Sequence, residues 1–281
     1  MPTTYPIATT EQTTNDIIVF DQEADWAKAS SVVWRWNAPG GSGSPWYNLS
    51  DVRLRSTKAY GTVVLVAASG GRTAMLRKST RQIIWQVSTP ADNPHAIERL
   101  PGGVIVTAST KPGRLRFYAD STHTKPFRTI SLALAHGVLY DPARKALWAI
   151  GDKQLIRYSL SGKGAGTKLA VHSRVTFKGT GHDLQPVFGE PDALWFTDTY
   201  GVYRLDATTN TYEEVDGTNH VKAYISQPTG IRARATADYA GPRDWGGPTV
   251  DFFDADGKKT FSRTRPGAEF YKVRLWTPDF H

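Results

Sequence analysis

Three histidines and a glutamine recur along this chain at nearly one interval. His95 stands in NPHAIERLPGG, His136 in AHGVLYDPARKALW, His182 in GHDLQPVFGEPDALW and Gln227 in SQPTGIRAR, at successive intervals of 41, 46 and 45 residues. A step of 44 back from His95 lands on Asp51 in NLSDVRLR. A period of this length in a strand-rich chain is the signature of a β-propeller, in which each repeat is one four-stranded blade. Equivalent positions on successive blades face one axis, so sequence distance becomes spatial convergence. The expected result is a ring of imidazole, carboxamide and carboxylate groups around a funnel.

The rest of the chain reads as blades. Gly (25) and Pro (17) interrupt every long stretch, and the apolar runs between them are short and β-branched or aromatic, which argues against long helices. The first complete blade runs from Ser50 to about Pro90 with strands SDVRLRS, GTVVLVAAS, RTAMLRKS and QIIWQVST. The second runs from His95 through GVIVTAST and GRLRFYAD to FRTISLAL, and the third from His136 through ALWAIGD, QLIRYSL and SRVTFKG. The fourth starts at His182, continues through ALWFTDT and GVYRLDA, and takes VKAYIS as its last strand; the fifth starts around Gln227 with TVDFFDADG and KTFSRTR. EFYKVRLW at the C-terminus supplies an innermost strand, and PIATTEQ, DIIVFDQ and SVVWRWNA at the N-terminus supply the three it lacks. The fold is therefore expected to be all-β, a six-bladed propeller over residues 1–281 as a single domain, closed in one blade by both ends so that no strand edge is left open. Trp36, Trp85, Trp148 and Trp195 fall on strands where large side chains pack between blades.

Bulk composition narrows the function classes. With 34 basic against 26 acidic residues the net charge is +8, which favours an acidic partner. No run of Lys/Arg, zinc-finger spacing or recognition-helix pattern marks a nucleic-acid binder. Cysteine is absent, so neither a disulfide framework nor a thiolate metal site exists. No stretch of 18 apolar residues spans a membrane. Met1-Pro2-Thr3-Thr4 lacks a leader pattern, consistent with the mature form of a secreted protein, and a monomer is expected. No Gly-x-Ser-x-Gly elbow, P-loop or dinucleotide fingerprint is present.

The motif order DIIVFD, NLSD, NPHAIERLPGG, AHGVLYDP, ALWAIGD, GHDLQPV, SQPTG, TVDFF and AEFYKVRLW, from Ile7 to Trp276, resembles a family of six-bladed propellers from bacteria and fungi known only as a domain of unknown function. Glu11-Gln12 departs from the Asp-Gln expected there, with a carboxylate retained. The histidine and glutamine set resembles the manganese site of oligogalacturonate lyases, which are also β-propellers. That resemblance implies His95, His136, His182 and Gln227 as ligands of a divalent ion.

The residue types themselves suit a divalent Mn, Zn, Fe or Ca, since imidazoles and one amide oxygen leave positions open for water or substrate. Asp51 is a further ligand or a group orienting an imidazole, and Glu98 and Asp183 suit the orienting role. The same histidines also suit a purely structural role, tying one blade's backbone to the next. An acidic saccharide is the expected partner. A metal-bound uronate carboxylate would have an acidified C5 proton, and a base taking it would drive β-elimination. His136, Tyr271, Tyr224 and Lys222 are the base candidates. Arg232, Arg234, Arg274 and Lys272 are expected to grip carboxylates, and Trp46, Tyr47 and Trp245 to stack on sugar rings. The alternatives are a glycoside hydrolase, which would need two facing carboxyl groups from Asp51, Glu98 and Asp183, and a non-catalytic lectin-like or protein-binding propeller.

Overall fold

A computed structural model describes residues 4–41 and 43–280; the Met1 to Thr3 opening read above lies outside them. Twenty-four strands form six four-stranded antiparallel sheets, the blades of a six-bladed β-propeller. The first blade in chain order is β4 (Leu49–Thr57), β5 (Gly61–Ala68), β6 (Arg72–Arg77) and β7 (Ile83–Ser88). It is followed by β8 (Pro94–Arg99), β9 (Ile105–Ser109), β10 (Arg114–Tyr118) and β11 (Arg128–Ser131), then by β12 (Gly137–Asp141), β13 (Ala146–Gly151), β14 (Gln154–Ser161) and β15 (Lys168–Thr176). Next come β16 (Asp183–Val187), β17 (Glu190–Thr197), β18 (Val202–Asp206) and β19 (Tyr212–Asp216), then β20 (Val221–Ser226), β21 (Arg232–Thr236), β22 (Thr249–Phe253) and β23 (Lys259–Thr264). The last blade combines β24 (Phe270–Leu275) with β1 (Ile7–Glu11), β2 (Asp16–Phe20) and β3 (Val32–Asn37). Its register pairs Ile7 with Leu275 and Thr9 with Val273, so both ends of the chain close one sheet, as expected.

The blades fall into two compact units of three. One holds the sheets that begin with β4, β8 and β12, and the other holds those that begin with β16, β20 and β24. Within each blade, burial falls outward. In β5 the run from Val63 to Ala68 is buried, as befits a strand covered on both faces, whereas the outer β15 is largely exposed and carries Lys168, His172 and Arg174 along its free edge. Aromatic residues fill the space between neighbouring blades. Trp26 stacks on Phe20 at 4.3 Å and meets Phe252 and Phe270 edge-on, with its indole N–H on the Asp21 carbonyl. Each phenylalanine buried there contributes about 2 kcal/mol. Trp36, Trp85, Trp148 and Trp195 are all buried, and Trp85 lies against Tyr118 of the next blade.

Two strand boundaries differ from the expectation. Val221–Ser226 is the first strand of its blade, not the last of the preceding one, whose outer strand is the polar Tyr212–Asp216. Gln227 therefore follows an inner strand, where the three histidines precede or begin one. The outer strand read as SRVTFKG also begins earlier, at Lys168.

Candidate functional site

The starts of the innermost strands share a backbone device. Opposite Ser50, His95 and Lys222 the pairing register slips by one residue, leaving each as the extra residue of a β-bulge. On β24 the pair Tyr271 and Lys272 opposes the single Thr10 in the same way, and the Thr10 hydroxyl accepts the N–H of Lys272 at 2.9 Å. A bulge turns its side chain away from the alternation of the strand, which is why such positions can present polar groups beside an otherwise apolar ladder. His136 and His182 stand one residue before β12 and β16, each held by its N–H on a carbonyl of the second strand, Ile150 and Thr197, at 2.8 Å.

In the unit built on β16, β20 and β24, four of these residues meet. The buried Lys272 ammonium lies 3.0 Å from Nδ1 of His182, 3.2 Å from the His182 carbonyl, 2.6 Å from the Lys222 carbonyl and 3.2 Å from Asp183 Oδ1. An ammonium has only hydrogens to give, so Nδ1 of His182 is the lone-pair nitrogen and Nε2 carries the ring proton. Nε2 stands 3.0 Å from the Tyr271 hydroxyl and donates to its oxygen, so the phenolic proton is directed away from His182. Lys222 differs from its neighbours. Its side chain is half-buried, its ammonium makes no hydrogen bond or ion pair with the described residues, and burial alone lowers it to about 8.

The other unit brings together two imidazoles. The His95 and His136 ring centroids are 4.2 Å apart, and His95 Nδ1 lies 3.0 Å from the Asn93 carbonyl. A carbonyl only accepts, so Nδ1 holds the proton and Nε2 the lone pair, the arrangement that suits a ligating imidazole. Asp51 beside them is turned to structure: its Oδ2 takes the Arg53 guanidinium and the Ile97 N–H, both at 3.3 Å. Glu98 is fully buried in a two-pronged pair with Arg55, at 2.8 and 2.6 Å, and also accepts the Tyr140 N–H of the next blade. Asp183 repeats the device, pairing with Arg274 at 2.8 and 3.1 Å and accepting from Tyr224 N–H. Carboxylates on inner strands thus lock one blade's backbone to the next.

Several expected positions lie elsewhere. Asp183 accepts from Tyr224 N–H while the Ser226 hydroxyl accepts from Phe188 N–H, so β16 and β20 run side by side in one direction. Gln227 is consequently level with Phe188, at the end of these strands away from His182. There its carboxamide exchanges bonds with the Tyr5 backbone and donates to Gln22. Among the described residues no three His, Cys, Asp or Glu side chains are grouped around one metal position. Arg274 and Lys272 are buried on Asp183, Arg234 pairs with Asp216, and Arg232 stacks over Trp195 and donates to the Ala255 carbonyl. The Tyr224 ring is buried against Trp195, and burial raises its hydroxyl above the ordinary tyrosine range, which suits packing and not base chemistry. Trp46 is buried and Tyr47 half-buried, so they cap the blade.

Trp245 is exposed, with its indole N–H on the Gln12 carboxamide oxygen, and Tyr200 and Tyr239 are exposed as well. All three sit at the end of the strands that bears Lys222 and Tyr271. The Thr199 carbonyl holds His220 N–H, the His220 carbonyl holds Ala237 N–H, and Gly247 pairs with Phe270. Residues 237–248, the connection between β21 and β22, are thereby tied to the segments leading into β20 and β24. Glu269 beneath them carries no distinguishing mark in the sequence. It is buried, its Oε2 lacks a hydrogen-bond partner, and burial raises its carboxyl above the ordinary range.

Comparison with known proteins supports the fold. A search of curated protein sequences found no match. Among solved structures, a protein of unknown function from Bacteroides caccae is 12% identical over 96% of this chain and 98% of its own, with a TM-score of 0.64. The dihydro-heme d1 dehydrogenase NirN, in complex with DHE, is 11% identical over 96% of this chain and 56% of its own, with a TM-score of 0.55. Both likenesses are of fold. A family model matches residues 3–276, nearly the whole length, and the chain belongs to that family, the Family of unknown function (DUF6528).

Proposed function

We propose that this propeller is a carbon-oxygen lyase acting by β-elimination on an acidic, uronate-containing glycan, at the end of the strands where Lys222 and Tyr271 lie. The observation that carries the reading is the placement of a desolvated amine, Lys222, and a hydroxyl, Tyr271, near the starts of the neighbouring strands β20 and β24, with His182 Nε2–H directed at the hydroxyl oxygen. Elimination needs one group of each kind. The Lys222 amine takes the C5 proton; the C5 electron pair forms the C4–C5 double bond; the C4–O bond breaks, and the leaving oxygen takes the Tyr271 proton. An amine near neutral in its proton affinity suits the first step. The positive charge gained by Lys222 offsets the charge developing on the uronate carboxyl group, and the net charge of +8 favours a polyanion. Exposed Trp245, Tyr239 and Tyr200 supply ring faces for the sugar, amphipathic surfaces of the kind that bind one apolar side and one wet edge.

The test is incubation with a panel of 4-linked polyuronates, followed by ultraviolet absorbance of the unsaturated product. Absorbance that rises with wild type and not with Tyr271→Phe supports the reading. Binding to the same polymers without any unsaturated product would make the protein a lectin-like propeller.

A divalent ion has its own support in the His95 and His136 pair, the two imidazoles that the fold brings together. Bound there, it would supply Lewis-acid neutralisation of a carboxylate. Elemental analysis of protein purified without chelators, beside the His95→Ala variant, tests this. Metal retained by the variant would place the ion elsewhere.

A further inference from the structure

Residues directly opposite each other in an antiparallel pair carry their side chains on the same face of the sheet. Trp195 on β17 pairs with Arg204 on β18, and Arg204 with Glu213 on β19, so the three form one row across a face of their blade. On β20 and β21 of the next blade Ser226 pairs with Arg232 in the same way. These two rows line a cleft of about 420 Å³ at the end of the strands away from Lys222. Between the blades of β20 and β24, by contrast, Trp26, Phe20, Phe252 and Phe270 pack ring on ring.

The deep wall of the cleft is apolar, made by the buried Trp195, Phe188 and Val187. An apolar cavity of ~150 Å³ already takes up a benzene ring, so there is room here for an aryl group and a polar head. Two donors are set into that wall. The half-buried Arg232 guanidinium lies over Trp195 at 5.4 Å, gives an N–H to the Ala255 carbonyl at 2.6 Å and stands beside the Tyr224 hydroxyl. None of these neighbours carries a negative charge, and the nearby Glu190 is taken by Arg204 at 2.5 Å. A guanidinium keeps its proton and presents a rigid fork of N–H groups, which suits a two-pronged carboxylate. Ser226 is the second donor and only 5% exposed. Its oxygen accepts from Phe188 N–H at 3.2 Å and Trp195 Nε1–H at 3.0 Å, and its own proton has no acceptor among the described residues. As cross-strand partners Ser226 and Arg232 start about 5 Å apart at Cβ, so both reach one acceptor group. Glu190 and Glu213 are exposed at the mouth. With a cation inside and carboxylates outside, the cleft admits a small acid head first and disfavours a polyanion laid across it.

We infer that this cleft is a second binding site, for a small monocarboxylate with an apolar or aromatic body. The carboxylate takes the Arg232 fork and the Ser226 proton, and the body lies along Trp195, Phe188 and Val187. The site is independent of the lyase reading and shares no residue with it.

The experiment is calorimetric titration of the full chain with phenylacetate, phenylacetamide and 2-phenylethylamine, which share one body and differ in the charge of the head. The expected result is that phenylacetate binds about tenfold or more tighter than the other two, the range of a hydrogen bond to a charged group. Arg232→Gln should weaken phenylacetate by about tenfold to a hundredfold and leave phenylacetamide unchanged. Ala255→Trp alters an exposed turn residue whose Cβ would stand 3.1 Å from one added at Gly230, so it should block the cleft and abolish binding with the fold intact. Lys222→Met should bind phenylacetate as wild type does. Absence of phenylacetate binding, equal affinity for the three heads, or preference for the amine would overturn the inference. So would full phenylacetate affinity in Arg232→Gln or Ala255→Trp, or its loss in Lys222→Met, which would place the acid at the other end of the strands.

Discussion

The Tyr271 hydroxyl accepts a hydrogen bond from His182, 3.0 Å away, because the other nitrogen of that ring is already held by the Lys272 ammonium. A buried cation thus sets the tautomer of a histidine, and the histidine sets which proton a tyrosine can give. Removing only the hydroxyl isolates this role. Tyr271→Phe should lower elimination by about a hundredfold to ten-thousandfold, the range of a lost acid or base, with the melting temperature nearly unchanged. A variant that fails to fold would show instead that the hydroxyl is structural.

The blade pattern was legible from the period alone as far as His182, because each blade must present one inner strand to the same side and histidine happened to mark its start. It failed at Gln227 for a physical reason. Val221–Ser226 mixes four apolar residues with Lys222 and Ser226, and nothing in that composition says whether it closes one blade or opens the next. The residue that occupies the bulge there is Lys222, whose charge hid its kinship with His95. The inner carboxylates were visible, but their partners were not. Arg274 and Asp183 are 91 residues apart, and nothing local in the sequence separates a buried, paired arginine of this kind from a ligand-binding one. Buried ion pairs join residues on different blades, and no local pattern reports them.

The Arg55 and Glu98 pair gives a direct test of that locking role. Glu98 accepts both prongs of Arg55, the Arg99 N–H and the Tyr140 N–H, so its removal strands a buried guanidinium and a blade-to-blade bond. Glu98→Ala should cost about 3 to 5 kcal/mol in urea unfolding. Replacing both partners, Arg55→Met with Glu98→Leu, should cost clearly less than either single change, because no uncompensated charge is left. Equal losses in the single and double variants would mean that packing, not charge, sets the cost.

Lys222 should write its own signature into stability. Its ammonium is held at about 8 in the folded chain against 10.5 for an unperturbed lysine, and burial is the cause. Between those values the unfolded chain keeps the proton and the folded chain has released it, so stability rises with pH across this window. Below about 8 the full cost of burying the ammonium is present. Lys222→Met should therefore melt higher than wild type at neutral pH, with the advantage shrinking as pH climbs toward 10.5. The proposed elimination should run the other way in pH, gaining rate as Lys222 loses its proton near 8. A rate that is flat through that region would remove Lys222 from the role of base.

Glu269 makes the loop over residues 237–248 sensitive to pH. Its carboxyl packs so closely under the loop that a Cβ added at Gly246 would stand 2.5 Å from Oε2, and one at Gly241 would stand 3.1 Å from Oε1. Burial is the largest influence raising it above the ordinary 4.5, with Asp238 in the loop and Glu11 on β1 adding to it and Arg243 opposing. The Glu11 carboxyl group itself accepts the N–H groups of Thr13, Thr14 and Glu269. A carboxyl raised in the folded state contributes stability that is fully present below its unfolded value and is lost as pH rises through the folded one. Glu269→Gln keeps the shape and removes the charge, so it should be more stable than wild type at neutral pH, and the two should converge below about 4.5 as the unfolded carboxyl becomes protonated. Gly246→Ala should destabilise at every pH, since its cost is steric. Thermal melting across pH for the three proteins checks all of this together. A Glu269→Gln protein that is less stable than wild type at neutral pH would mean that the ionised carboxylate is held by Arg243, and that charge pairing outweighs desolvation under this loop.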